Sequence, residues 1–130
     1  MTRAIDSSKA KNYLKKADDS LYIAKIGLKE GKYDNAVMSS IHCAINALDA
    51  VTSFYLSKRA SGDHNDVLSL LKGIFTPTEY QDVQKQFTSL LSLKNASEYQ
   101  SDLMEVTDAQ NAVKWAERIV VRAKEKLKQA

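Results

Sequence analysis

The strongest constraint on the fold of this chain is a helical periodicity that almost nothing interrupts. The 130 residues include only four glycines and one proline, so very few positions favour a sharp turn of the backbone. Apolar residues instead recur every three or four positions over long stretches, which is the spacing of one face of an α-helix. The sequence therefore predicts an all-α protein built from long helices.

Residues that begin and end helices divide this pattern into five segments. The predicted segments are, in chain order, Ser7 or Ser8 to Gly31, Asp34 to about Ser57, Val67 to near Gly73, Thr76 to about Leu93, and Thr107 to the last residues. The last two begin with capping-box patterns, and residues 95–106 are expected to be looser. Four long helices with short connections predict an up-down four-helix bundle, with the short additional helix at one end and residues 1–130 in one domain.

Composition excludes several classes of protein. The single cysteine, Cys43, cannot form an intrachain disulfide or a cysteine-based zinc site, and the two histidines are far apart in sequence. We therefore expect neither a metal nor a cofactor. The N-terminal residues lack the apolar run of a secretory signal, and no apolar stretch is long enough to cross a membrane, which favours a cytoplasmic protein without a membrane partner.

The second predicted helix carries an unexpected row of polar residues. Ser39, His42, Asn46, Asp49 and Ser53 are three or four positions apart and therefore share one face. An imidazole in line with an amide and a carboxylate could be oriented for proton transfer, with Asn46 and Asp49 holding His42 or His64. The alternative is that these groups hydrogen-bond between helices or form a polar dimer contact.

A second candidate lies where this helix ends. Arg59 precedes His64 by five positions. A guanidinium can hold a phosphodiester while an imidazole moves the proton of a ribose 2′-hydroxyl, which is the requirement of metal-independent RNA cleavage. In the alternative interpretation Asp63 caps the short helix, His64 occupies its first turn, and Arg59 stabilises the preceding helix end.

The last predicted helix is locally basic although the whole chain carries a formal charge of only +3. Lys114, Arg118 and Arg122 follow one another at intervals of four, which makes them candidates for contact with an RNA backbone. The alternative is a solvated helix end whose cations offset the helix dipole. A net charge this small does not indicate nucleic-acid binding by itself.

Three segments, 10–28, 33–59 and 97–127, together resemble a HEPN domain. The resemblance is carried by Tyr-Leu-Lys-Lys-Ala-Asp-Asp-Ser-Leu at 13–21, by 35–50 with His42, Asn46 and Asp49, by Asp-His-Asn-Asp-Val-Leu at 63–68, by Ala-Ser-Glu-Tyr at 96–99, and by 109–116. It implies a bundle of four or five helices that dimerises. It also implies an RNase toxin with a nucleotidyltransferase-type antitoxin partner, or a noncatalytic RNA-binding or assembly module.

Catalytic HEPN proteins carry an arginine followed four to six residues later by a histidine, near the start of the last long helix. Here the corresponding region reads Lys-Asn-Ala-Ser-Glu-Tyr from Lys94 to Tyr99, so both functional groups are replaced. Assigning phosphate contact to Arg59 and acid–base catalysis to His64 or His42 therefore moves the roles to an earlier part of the chain.

The sequence thus supports two functional hypotheses. The first is an RNA-binding or RNA-processing protein of a toxin-antitoxin or stress-response system, with weak metal-independent endoribonuclease activity and a site shared across a homodimer. The second is a noncatalytic module in which the second and last helices contact a sister protomer or a nucleotidyltransferase-like protein. They differ in whether His42, Asn46, Asp49, Arg59 and His64 meet in one solvent-open cleft.

Overall fold

A computed structural model describes residues 2–61 and 63–129, without the side chain of residue 99. The helices are α1 (Ala10–Lys29), α2 (Tyr33–Leu56), α3 (Asp66–Leu71), α4 (Pro77–Tyr99) and α5 (Val106–Lys128). Two short strands, β1 (Thr2–Ala4) and β2 (Lys58–Ala60), form an antiparallel pair, and a 3-10 turn at Ser7–Lys9 leads into α1. The predicted all-α bundle of four long helices and one short helix is confirmed.

A close approach of backbones joins α1 to α2. Gly31 ends α1 with φ at 74°, a left-handed conformation that glycine adopts without steric cost, and the Lys32 N–H donates to the Gly27 carbonyl at 2.8 Å. Gly27 itself faces Ala36, whose Cβ would lie 3.3 Å from a Cβ added at Gly27. Small residues at the turn therefore let α1 and α2 pack closely as an antiparallel pair.

The second helix is the centre of the bundle. It packs most extensively against α1 and α5, and it also contacts α4 and α3. Its small residues Ala36, Ser40, Cys43, Ala47 and Ala50 are all fully buried. They permit close packing inside the chain. The sequence predicts that the second helix can contact a sister protomer, but these buried residues are not available for that contact.

The last helix also turns its apolar face inward. Val113, Ala116, Val120 and Ala123 are buried, and they pack against the core that surrounds α2. This apolar row, whose spacing alternates between three and four residues, is therefore part of the bundle core. A partner could reach α5 only from its outer, charged side.

Two helix ends differ from the prediction. A capping box between Thr76 and Glu79 begins α4 as expected, but the helix continues six residues beyond Leu93, to Tyr99. The last helix begins at Val106, where the Asp108 carboxylate accepts the Glu105 N–H at 2.9 Å, so the capping box predicted at Thr107 is wrong by two positions. Asp34 fixes this start because its carboxylate accepts the Met104 N–H at 3.3 Å.

The strand pair was not predicted, because each strand has only three residues. Ser57 ends α2 in a left-handed conformation, with φ at 52° and ψ at 38°, and this turns the chain into β2. The Ile5 N–H donates to the Ser57 carbonyl at 3.0 Å. The first residues of the chain are thereby attached to the carboxyl end of α2.

Candidate functional site

The polar row of α2 runs from solvent into the protein. His42 is exposed and Asn46 is half-buried, whereas Asp49 is only 6% exposed and Ser53 is fully buried. The row therefore begins at the surface and ends inside the bundle. Of its members, only those near His42 can meet a solvated substrate without a rearrangement.

Asn46 does not orient an imidazole in this structure. Its side-chain amide donates to the backbone carbonyl of His42 at 2.9 Å, an interaction within one turn of α2. Side chains of this kind commonly bond the preceding turn of their own helix. The predicted orienting role of Asn46 stays a prediction that would need a different side-chain conformation.

Asp49 is the most perturbed carboxylate of the described residues. No hydrogen bond joins its carboxylate to another described residue, and Ser53, one turn later, has a buried Oγ that also lacks a described partner. Burial raises the pKa of Asp49 from 3.8 to about 7, and the positive charge of Arg59 opposes this rise only in part. Perturbed carboxyl groups of this kind cluster at functional sites, although structural positions also produce them.

His64 lines an open cleft with residues from α4. The cleft has a volume of about 450 Å³ and is lined by Asp63, His64, Asn65, Leu91, Lys94 and Asn95. Burial lowers the pKa of His64, and the positive charges of Lys94 and His42 lower it further. The imidazole is therefore held in its neutral form near pH 7, which is the form that accepts a proton.

Lys94 belongs to this site although it was not among the predicted site residues. Its Nζ lies 2.8 Å from a carboxylate oxygen of Glu98, one turn further along α4. The sequence contained a signal for it, because Lys94 stands where the HEPN resemblance implies an arginine. Only the fold shows that this position faces His64, some thirty residues earlier in the chain.

Arg59 reaches the buried end of the polar row. It is half-buried on β2, its Nη1 donates a long hydrogen bond of 3.4 Å to the carbonyl of Ala60, and its charge acts on Asp49. Four of the five predicted residues thus fall into two pairs within electrostatic range, His42 with His64 and Asp49 with Arg59, while Asn46 belongs to neither pair. Within the described chain, no direct hydrogen bond joins any two of their side chains.

The basic residues of α5 lie on another surface. Lys114 and Arg118 are exposed, but Arg122 is engaged by Asp82 of α4 at 2.5 Å and by Glu79 at 3.9 Å. Other cations of α5 are paired in the same way, with Lys124 at 2.8 Å from Asp18 and Lys126 at 3.2 Å from Glu79. Acidic residues of α1 and α4 therefore neutralise much of the positive charge that the sequence places on α5.

Arg118 and Arg122 also line a groove between α4 and α5. This groove has a volume of about 570 Å³, and its other lining residues are Asp82, Gln86, Glu117, Val121 and Glu125. Val121 is 49% exposed, and Gln86 has a buried Oε1 without a partner among the described residues. The groove thus combines both signs of charge with one exposed apolar residue, Val121.

In residues 2–61 and 63–129, no three or more His, Cys, Asp or Glu side chains are arranged to hold a metal ion. No helix in the same residues is both long and apolar enough to cross a membrane.

Comparison with known proteins agrees with the architecture. The crystal structure of TT1696 from Thermus thermophilus is similar, with a TM-score of 0.73 and 20% sequence identity over 91% of this chain and 98% of that one. No curated protein matches the chain. The HEPN domain family matches residues 10–127, nearly the whole chain. This match shows that the chain belongs to the HEPN domain family.

Proposed function

We propose that this HEPN protein binds and processes RNA on the face formed by α2, β2, α3 and the second half of α4. The observation that carries the proposal is the open cleft in which His64 and Lys94 lie together, with His42 near enough for its charge to affect His64. A neutral imidazole beside a cation has the two properties that RNA cleavage through the 2′-hydroxyl needs. The family supports the same substrate class.

In this proposal the histidines transfer protons and the cations bind the phosphate. His64 accepts the proton of the ribose 2′-hydroxyl, and His42 is the second imidazole available for proton transfer. Lys94 and Arg59 provide positive charge for the phosphate, whose negative charge increases as the 2′-oxygen attacks phosphorus. The 2′-oxygen–phosphorus bond forms as the bond to the 5′-oxygen breaks, and the leaving oxygen takes up a proton. The products are a 2′,3′-cyclic phosphate and a 5′-hydroxyl.

The biological setting that we propose is a cytoplasmic toxin-antitoxin or stress-response system, in which the protein acts as a homodimer beside a nucleotidyltransferase-type antitoxin. This setting rests on the family alone. The predicted RNA contacts of Lys114, Arg118 and Arg122 are secondary in the proposal, because Arg122 is already engaged by two carboxylates.

The decisive experiment incubates the protein with single-stranded RNA in EDTA, since the proposed groups are imidazoles and cations. We expect slow cleavage that leaves 2′,3′-cyclic phosphate ends. His64→Ala and Arg59→Ala should each reduce the rate by about a hundredfold or more. Lys29→Ala, at the far end of α1, is the control and should cut like the wild type. Cleavage that survives loss of both His64 and His42 would contradict the proposed chemistry.

A second candidate function is a noncatalytic interaction module, and the groove between α4 and α5 favours it. Exposed Val121 flanked by Arg118 and Glu125 fits a protein partner better than RNA, because the carboxylates of this groove repel phosphate. If the wild type neither cuts nor binds RNA at low salt, this function is preferred. Light scattering should then give a dimeric mass that Val121→Lys converts to a monomeric one.

A further inference from the structure

The strand pair brings two arginines into direct opposition. In the antiparallel register of β1 and β2, Arg3 is the Cα partner of Arg59. Directly paired residues of antiparallel strands project from the same face, with Cβ atoms about 4.5–5.5 Å apart. The side chains of Arg3 and Arg59 therefore leave the strand pair on the same face, from neighbouring positions.

Such a pair is unfavourable unless something negative compensates it, because like charges opposite one another destabilise a strand pair. No carboxylate of the described residues lies within ion-pair distance of either guanidinium. Asp6, close to Arg3 in sequence, instead accepts the N–H of Ser8 at 2.9 Å. The pair is thus left without a direct counterion in the described chain.

Asp49 is the acidic group that interacts with Arg59, and it compensates the pair poorly. It is buried, and its pKa is raised to about 7, so near neutral pH a substantial fraction of Asp49 is uncharged. Arg3 is exposed and Arg59 half-buried, which leaves the pair open to a ligand from solution. A negative ligand would remove the repulsion between the two arginines as it binds.

We propose that Arg3 and Arg59 form a two-arginine clamp for one phosphate group, and that the ligand is a phosphodiester of single-stranded RNA. A guanidinium presents parallel N–H donors that match two phosphate oxygens, so two of them can hold one phosphate from both sides. The proposal rests on the proposed function and adds Arg3 and the strand pair to its binding surface.

The position of the clamp supports RNA as the ligand. Only three residues separate Ala60, the last residue of β2, from His64 in the cleft, and β2 packs against α3. A strand held at its phosphate by Arg3 and Arg59 could therefore extend towards His64 and Lys94. Each clamped phosphate releases condensed counterions from the RNA, so the contact should depend on salt.

The test measures the binding of a fluorescein-labelled uridine 12-mer by fluorescence anisotropy between low and moderate salt. Arg3→Gln and Arg59→Gln should each weaken binding about tenfold and reduce the slope of log K against log salt by about 0.7. Arg3→Lys should lie between wild type and Arg3→Gln, because it keeps the charge but loses the paired donors. Lys29→Gln, an exposed cation at the other end of α1, should bind like the wild type.

The double variant tests whether one phosphate is shared. If both arginines hold the same group, the loss in Arg3→Gln with Arg59→Gln should be smaller than the product of the single losses, since either change already disrupts the clamp. Far-UV circular dichroism checks that every variant stays helical. A second measurement, titration of the arginine Nε–H signals with inorganic phosphate by NMR, detects the clamp without RNA.

The outcomes separate this inference from the proposed function. If the wild type binds RNA and the glutamine variants bind equally well, the clamp is refuted while the RNA function stands. If RNA does not bind but inorganic phosphate shifts both arginine signals, RNA as the ligand is refuted and the proposed function fails with it. If neither ligand produces an effect, both ideas are refuted. Salt-sensitive losses confined to Arg3 and Arg59 support the clamp.

Discussion

Replacing Asp49 by Asn should stabilise the protein, and the gain should grow with pH. Burial raises the folded-state pKa of Asp49 from 3.8 to about 7, so the folded protein holds this proton more tightly than the unfolded chain does. As the pH rises from about 4 to about 7, the unfolded chain loses the proton first, and the free energy of unfolding of the wild type falls. Above about 7 both states are ionised and the loss is complete.

The magnitude follows from the size of the pKa shift. Each pKa unit is worth about 1.4 kcal/mol, so a rise from 3.8 to about 7 corresponds to a loss of about 4 kcal/mol at pH 8. At pH 5 the same reasoning gives only about 2 kcal/mol, because the pH is then little more than one unit above the ordinary pKa of 3.8 in the unfolded chain. Asparagine has nearly the shape of a protonated aspartate and cannot ionise, so Asp49→Asn should recover most of these amounts.

Urea denaturation followed by circular dichroism at 222 nm, at several pH values from 5 to 8.5, measures this effect. His64 also makes the stability depend on pH. Its pKa is lowered in the folded protein, so the free energy of unfolding falls as the pH drops below about 6.5, the ordinary value of the unfolded chain. The difference between variant and wild type removes this contribution. Asp102→Asn, at an exposed position, is the control and should change stability by less than about 0.5 kcal/mol. A gain independent of pH, or a destabilised variant at pH 8, would refute the reasoning.

Two further predictions concern stability: one compares two residues in the left-handed backbone conformation, and the other tests a helix cap. Ser57→Gly should raise the free energy of unfolding by about 0.5–1 kcal/mol, because glycine adopts the left-handed conformation without strain. Gly31→Ala should lower the free energy of unfolding by about 1–2 kcal/mol for the same reason. Urea denaturation of the two variants tests these opposite signs. Thr76→Ala should lower the free energy of unfolding by about 1 kcal/mol, because it removes one half of the capping box of α4. Thr78→Ala, in the same turn, is the control and should lower it by less. Equal losses of stability in thermal unfolding would argue against the cap.

The helices could be predicted because their signals are local. The capping box at Thr76 and the left-handed glycine at Gly31 each act within a few residues, and both are found where expected. The start of α5 was placed two residues late because Asp34 of another helix holds the Met104 N–H. A contact between distant parts of the chain cannot be recognised from local spacing.

The candidate site was predictable only in part, for the same reason. His42, Asn46 and Asp49 share a helix face by simple periodicity, and the structure places them along one row. The burial of the row, from exposed His42 to Asp49 at 6% exposure, depends on which other helices pack against α2. The meeting of His64 with Lys94 requires the path of the chain through α3 and α4. The opposition of Arg3 and Arg59 requires the strand register.

The distribution of charge explains how a protein with a formal charge of only +3 could still have a surface for RNA. On α5 three of the six cations, Arg122, Lys124 and Lys126, each face a carboxylate from a neighbouring helix. At the strand pair the two arginines have no such neighbour among the described residues, and the carboxyl group near them is partly uncharged at neutral pH. Counting the cations of a helix overestimates its attraction for RNA where carboxylates of the folded protein already pair with those cations. The same count underestimates the attraction for RNA where the fold brings together two arginines that are far apart in sequence.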